Sequence, residues 1–399
     1  MRPLKILIGH TRYQQAGGED VVFRLESALL RQMGHTVITY EQSNHQLHEI
    51  GPVSGFVQAI WSRQTTARLG NLLRETQPDV AHFHNTFAMI SPSAYYACQA
   101  AGVPVVQTLS NYRLGCPNAS CAVQGQSCER CVPHTVAWPG VVRKCYRESR
   151  LATAGVAAMT AIHKALGTYG AQVDAFISTT EFARQIHIRS GLPEQRVYVK
   201  PNFVSPAPAR PPEPRGGFAF YAGRLSREKG VDLLLDAWRL LRIPLRLVLA
   251  GEADGECAQA VRWAAVANPL IEWVGGQTHD GVGRLLQAAD FLIHPSRLYE
   301  GCSMVIVEAF NAGVPCLVSG QGSLAEMVED GRTGLHFRQG DAGHLAAQVE
   351  WLAENPARRV AMGEAARARY SERFTPERNY AMLMDIYQAA ITHNQHASK

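Results

Sequence analysis

A chain of 399 residues, 46% of them hydrophobic and 18% charged, can bury sizeable cores, and two domains are expected. A formal net charge of only +5 excludes a wholesale nucleic-acid binder, and the hydrophobic content excludes a disordered chain. No apolar run approaches the roughly 18 residues of a membrane span, so the protein is expected in the cytoplasm, touching the inner face of a membrane peripherally if at all.

The chain begins MRPLKILIGHTRYQQ, a short apolar run broken by His10 and Arg12 without a cleavage site, which predicts a first strand and not a secretory signal. After it, Gly17 and Gly18 precede a helix opened by Glu19 and Asp20. Paired glycines let a backbone approach a ligand closely, although no GxGxxG is present and a plain strand-to-helix turn is the competing reading. Glu19 and Asp20 are both expected to cap the helix. Strand-like runs then recur at 4–9, 35–41, 79–85, 103–109, 175–180 and 196–202, alternating with helical patterns, which predicts a parallel sheet covered by helices. In the third run, His82 and His84 are expected to point oppositely, one into the packing and one into a cleft. A two-histidine metal site finds no third ligand at metal spacing in the sequence.

Cys116, Cys121, Cys128, Cys131 and Cys145 crowd one segment, and CERC from Cys128 to Cys131 is a CxxC knuckle. Cys116, Cys128, Cys131 and Cys145 are expected to hold a structural zinc, with Cys121 as substitute and free thiols or a redox pair as the rival reading. Cys98, Cys257, Cys302 and Cys316 look like ordinary small residues in or beside elements. Arg143, Lys144, Arg147 and Arg150 precede LATAGVAAMTAIHKAL, 151–166. This is expected to be a core helix with a solvated basic entry, the alternative being contact of its charges with an anionic membrane.

The proline-rich stretch 205–217 is predicted to link a domain at 1–204 to a second one at 218–375. Strands of the second series start at Phe218, Leu245, Ile271, Asp290, Val314 and Gly334. Beyond the first lies GRLSREKG, 223–230, where Arg224 and Lys229 flank a turn. Two fixed cations can stabilise a departing diphosphate, although most such residues are merely surface charges. Gly251 and Glu252 end the second strand. Then comes EGCSMVIVE, 300–308, a loop running into a helix that ends near Gly313, with Glu300 and Glu308 as its two carboxylates. The helix N-terminus beside Ser303 favours a phosphate, while carboxylates suit sugar hydroxyls. No Asp-x-Asp dyad occurs anywhere, so no cofactor is expected for catalysis and cations must stand in for a nucleotide-bound metal. A last helix is predicted from Pro376.

GRLSREKG, EGCSMVIVE and the strand–turn–helix–strand run AGVPCLVSGQGSLAEMVEDGRTGLHF, 312–337, together resemble the family-4 glycosyltransferases of the GT-B fold, and the resemblance extends over essentially the whole chain. It implies an α/β architecture of two Rossmann-like doubly wound domains facing each other across a cleft, with the helix 376–399 packing back on the first. It also implies a retaining transferase acting on a nucleotide-sugar donor and a saccharide or lipid-linked acceptor in cell-surface polysaccharide biosynthesis. Within it, Arg224 and Lys229 would meet the diphosphate and Glu308 the ribose. Glu300, with the amides of Gly301, Cys302 and Ser303, would face the sugar and its phosphate; Gly251 and Glu252 would line the nucleotide pocket. Gly17 and Gly18 would approach donor phosphates or acceptor. Members commonly carry a histidine after the fourth strand, where this chain has Ser110, so His84 is the alternative on the acceptor side. A sugar-nucleotide epimerase of similar build and a catalytically silent binder remain alternatives.

Overall fold

The computed structural model describes residues 2–13, 17–46, 50–207, 216–253 and 255–397. They form two compact units. Unit 1 comprises 1–121, 128–201 and 376–399, and unit 2 comprises 122–127 and 202–375.

Unit 1 is built on β1 (Lys5–Arg12), β2 (Thr36–Ser43), β3 (Val80–Asn85) and β4 (Val105–Leu109). A short antiparallel hairpin, β5 (Ala122–Val123) and β6 (Gln126–Ser127), belongs to unit 2, and β7 (Ala175–Ser178) and β8 (Val197–Val199) complete the unit 1 sheet. The sheet order is β2-β1-β3-β4-β7-β8, parallel throughout. Prolines trim two of the sequence-predicted runs: β4 starts only after Pro104, and β8 stops short of Pro201, because proline offers no ladder donor. Strand alternation sorts the side chains. Leu7, Ala81, Phe83, Val105 and Phe176 join one core, and Ile6, Ile8, Val80, Val106, Ala175 and Ile177 join the other. Burial on both faces explains why these strands read as nearly continuous apolar runs. The helix Pro376–Ala397 covers the second face with Leu383, Ile386, Tyr387 and Ala390, each buried aliphatic side chain contributing about 1.5–3 kcal/mol.

Unit 2 repeats the plan with β9 (Phe218–Ala222), β10 (Arg246–Ala250), β11 (Ile271–Trp273), β12 (Phe291–His294), β13 (Cys316–Ser319) and β14 (Gly334–Phe337). They form a sheet of order β11-β10-β9-β12-β13-β14, also parallel. Of the predicted linker, 208–215 lie outside the described residues, and its first residues are tied to unit 2: Ala207 N donates to Asn311 Oδ1 (3.0 Å) and Asn311 Nδ2 to the Ser205 carbonyl (2.8 Å). Each sheet has a point where the chain reverses its direction of travel, between β9 and β12 in unit 2 and between β1 and β3 in unit 1. Loops at the carboxyl ends of strands diverge there, leaving a crevice in which open α/β sheets bind ligands.

Candidate active site

In unit 2 the crevice is walled by the loops after β9 and β12, which carry Lys229 and Glu300. The Lys229 turn is held by Gly230, which has φ +78° and lies so close to the chain that a Cβ would sit 2.1 Å from the Pro295 carbonyl oxygen. Only glycine fits such an approach. Arg297 pins the same turn: its amide donates to the Glu228 carbonyl (3.0 Å) and its Nη1 to the Arg227 carbonyl (2.9 Å) and Asp232 (2.7 Å). Lys229 Nζ then donates to Glu300 Oε1 at 2.7 Å, and Ser296 Oγ donates to the same oxygen at 2.5 Å. His294, the last residue of β12, brings Nε2 to 3.6 Å. Burial alone would raise the Glu300 carboxyl, but the Lys229 ammonium and His294 outweigh it and hold it well below the usual carboxylate range. The pair is an anchored anion beside a cation with two further N–H groups to offer.

The other expected donor-side residues spread around this centre. Arg224 is exposed, with Nη2 3.6 Å from Glu228, so the predicted cation pair meets Glu300 through Lys229 alone. Glu308, in the helix Met304–Asn311, lies 3.3 Å from His279 Nδ1, and that contact raises the imidazole above its ordinary value. Ser303 is the N-cap of the helix, with no acid in its first turn, so its leading amides remain an anion-binding end. Cys302 is buried, and its carbonyl accepts from Asn202 Nδ2 at 2.9 Å, fixing the Gly301–Ser303 approach. Gly251 packs on the Gly223 backbone, where a Cβ would fall 1.8 Å from the carbonyl oxygen, and Glu252 reaches toward Gly276. Ser296, His294 and His279 were not singled out from the sequence; the first two sit inside a run legible only as a strand.

Unit 1 holds a separate pocket at the carboxyl ends of β3 and β4, lined by His84, Phe87, Tyr95, Ser110, Asn111 and Arg113 among others. Here two expectations need correction. His82 and His84, two residues apart, lie on one face of β3, as strand alternation demands. Both turn toward Glu26, His82 Nδ1 at 3.2 Å and His84 Nε2 at 3.3 Å from its Oε1. A third metal-type ligand therefore exists: Glu26, His82 and His84 place ligand atoms within 4.8 Å of one another. Lys200 Nζ already neutralises Glu26 at 2.7 Å, however, and His82 also meets Tyr387 (2.8 Å) and Thr108 (2.7 Å). A divalent ion added there would leave buried positive charge in excess. Burial depresses the His84 imidazole, with His82 adding to the effect, and Glu26 is held well below its ordinary range because Lys200 and the histidines outweigh its burial.

The second correction concerns the turn after β1. Asp20 does cap, its Oδ2 accepting from the amide of Gly17, the N-cap of the helix that Gly18 opens. Glu19 does not. Its carboxylate accepts from Tyr13 Oη (2.8 Å) and from Asn111 Nδ2 (3.1 Å), and burial raises its carboxyl despite those bonds. An acid poised upward beside a pocket-lining residue is a candidate proton acceptor or hydroxyl ligand. The only sequence signal for it was its place one residue after the two glycines. Arg113 stacks 4.0 Å from the Phe87 ring centroid and adds a cation to the pocket wall.

The five cysteines do lie in one segment, between β4 and β7, yet among the described residues no three of their sulfurs lie within 4.8 Å of one another. Cys116 shares a side-chain hydrogen bond with Cys121, the residue expected only as a substitute. Hydrogen bonding from Cys121 lowers the Cys116 thiol, while burial pushes Cys131 up to about 11.

Residues 209–369 match the family described as Glycosyl transferases group 1. In sequence the chain is similar to the lipopolysaccharide 1,2-N-acetylglucosaminetransferase of Salmonella typhimurium, 38% identical over 130 residues covering 30% of this chain and 34% of that protein. It is also similar to the D-inositol 3-phosphate glycosyltransferase of Pseudarthrobacter chlorophenolicus, 33% identical over 180 residues, 43% of this chain and 42% of that one. The chain spans less than half the length of the curated relatives it matches. Among solved structures, HepE from Anabaena in complex with UDP aligns over 96% of this chain and 99% of its own, with TM-score 0.67 and 17% identity. Sucrose-phosphate synthase from Thermosynechococcus elongatus aligns over 96% and 98%, with TM-score 0.70 and 17% identity. Likeness at that identity establishes the fold, which is the two-domain GT-B architecture.

Proposed function

We propose that this protein is a glycosyltransferase that moves a sugar, with retention of configuration in the manner of family 4, from a nucleoside diphosphate to a saccharide or lipid-linked acceptor in cell-surface polysaccharide assembly. The observation that carries the reading is the Lys229–Glu300 pair, seated in the unit 2 crevice between β9 and β12, inside the segment that matches the glycosyltransferase family. As the glycosidic bond breaks, negative charge collects on the departing diphosphate. Lys229, Arg224 and the amides at the start of the helix Met304–Asn311 are the groups that meet it, and Glu308 accepts from the ribose hydroxyls. Glu300 orients the sugar hydroxyls and keeps Lys229 in place when no donor is bound. The acceptor hydroxyl passes its proton to the leaving phosphate on the same face of the sugar, so no protein nucleophile takes part. The unit 1 pocket lined by Ser110, Asn111 and His84, with Glu19 bonded to Asn111, is the candidate acceptor pocket.

Incubating the protein with a panel of nucleotide sugars and candidate acceptors, with products read by mass spectrometry, tests the proposal. Transfer from at least one donor with release of the nucleoside diphosphate is expected. Conversion of a donor to an isomer without acceptor would replace this reading with an epimerase, and binding without turnover would replace it with a silent binder.

A further inference from the structure

Unit 1 exposes an apolar surface that its own packing does not explain. The helix Arg150–Ala165 should show polar residues to solvent. Instead Leu151, Gly155, Ala158, Ile162 and Leu166 recur at helical spacing along one stripe, with Leu151 87% and Leu166 61% exposed. Two further helices flank it, Pro52–Ile60 and Trp138–Val142. Phe56 of the first lies against Gly155, and Val141 of the second shares a small core with Ala157. They extend the apolar surface with Val57, Trp138 and Val142, of which Trp138 and Val142 are 57% and 60% exposed. Isolated exposed apolar residues are ordinary, but contiguous ones on three packed helices mark an interaction surface.

The charges around this surface are of one sign. Arg143, Lys144, Arg147 and Arg150 are exposed, and among the described residues none of them has a carboxylate within ion-pair distance. Between residues 130 and 173 the sequence holds Glu148 as its only acid, against Arg130, these four cations and Lys164. No helix among the described residues is long and apolar enough to cross a membrane.

From this combination of features we infer that unit 1 docks on an anionic lipid bilayer, burying Trp138, Val142, Leu151 and Leu166 in the headgroup region while the four cations meet lipid phosphates. Apolar burial and headgroup attraction are the two contributions that hold an interfacial helix. The sequence-derived expectation of a core helix with a solvated entry describes its inner face, buried through Val156, Ala157 and Met159, and its exposed cations; the apolar outer stripe is what it leaves unexplained. The inference stands independently of the proposed transfer reaction.

The test is cosedimentation of the full chain with vesicles of phosphatidylcholine alone and of phosphatidylcholine mixed two-to-one with phosphatidylglycerol. Pelleting is expected with the anionic vesicles and not with the neutral ones, and should vanish in about 1 M salt, where the Debye length is about 3 Å. Replacing Arg143 and Arg147 by Ala should weaken partition roughly 25-fold, near fivefold for each cation. Without any loss of charge, the wild-type tryptophan emission should shift to the blue on anionic vesicles, and Trp138→Phe should remove the shift. Equal, salt-insensitive pelleting with both vesicles would overturn the inference, as would no pelleting at all. A salt-independent dimer in sedimentation, dispersed by Leu151→Asp and indifferent to lipid, would assign the surface to a second copy of the chain instead.

Discussion

Each unit contains a lysine–glutamate pair at the same 2.7 Å, and the two pairs differ only in what surrounds them. Lys200 and Glu26 are 3% and 1% exposed, with Asn379 and the two histidines closing the site. Lys229 and Glu300 are 23% and 15% exposed at the end of a sheet crevice. A sealed pair has already exchanged its water for protein partners, so it can only hold the fold together. A pair open to solvent keeps donors and acceptors available to an incoming molecule. The difference between a structural ion pair and a candidate site therefore lies in the surroundings, not in the residue types or their distance.

The largest effect is expected where the sealed pair is broken. Lys200→Met leaves Glu26 charged in a buried setting and should cost about 3–5 kcal/mol of stability in denaturant titration. A cost below roughly 1 kcal/mol, the range of exposed pairs, would erase the contrast. Lys229→Ala should invert the pattern. Unfolding should change by no more than about 1 kcal/mol, while transfer falls roughly 100- to 1000-fold in kcat/KM. Wild-type turnover in that variant would reject the site.

The smallest effect sharpens the comparison by pH. Glu26 and Glu300 are both held below their ordinary range, so each contributes stability that is present above about pH 4.3 and lost as pH falls through its folded value. A loss that sets in at higher pH comes from the histidines that burial depresses; among them His187, buried against Tyr112 and among the described residues with no hydrogen-bond partner on either ring nitrogen, is depressed to about 3. Its neutral form stabilises the fold above about pH 6.5, and that contribution falls by about 1.4 kcal/mol per pH unit down to about 3. His187→Leu should flatten the stability profile between pH 6 and 4, and an unchanged slope there would show that other histidines carry it.

The open pair was legible in the sequence as a candidate site because its parts are local. GRLSREKG folds as a turn and EGCSMVIVE as a loop running into the helix Met304–Asn311, each after a strand, and sheet order alone brings Lys229 beside Glu300. The sealed pair was not legible, since Lys200 meets Glu26 across 174 residues of chain and nothing in either local pattern marks them as partners. Glu19 was missed for a related reason: its neighbour's capping bond is a local signal, whereas its own bond to Asn111 spans 92 residues. The exposed stripe of the helix Arg150–Ala165 escaped because apolar spacing shows which residues share a face, and only packing shows what that face meets.

The central claim is that the open pair receives a nucleotide diphosphate. It is tested most directly by titrating UDP and GDP into wild-type protein, Lys229→Ala and Lys200→Met by calorimetry under conditions where all three are folded. The account predicts that one nucleotide binds wild type and Lys200→Met alike and Lys229→Ala at least about tenfold more weakly, the roughly 1.4 kcal/mol expected of a single charged contact. Equal affinity in wild type and Lys229→Ala would contradict it.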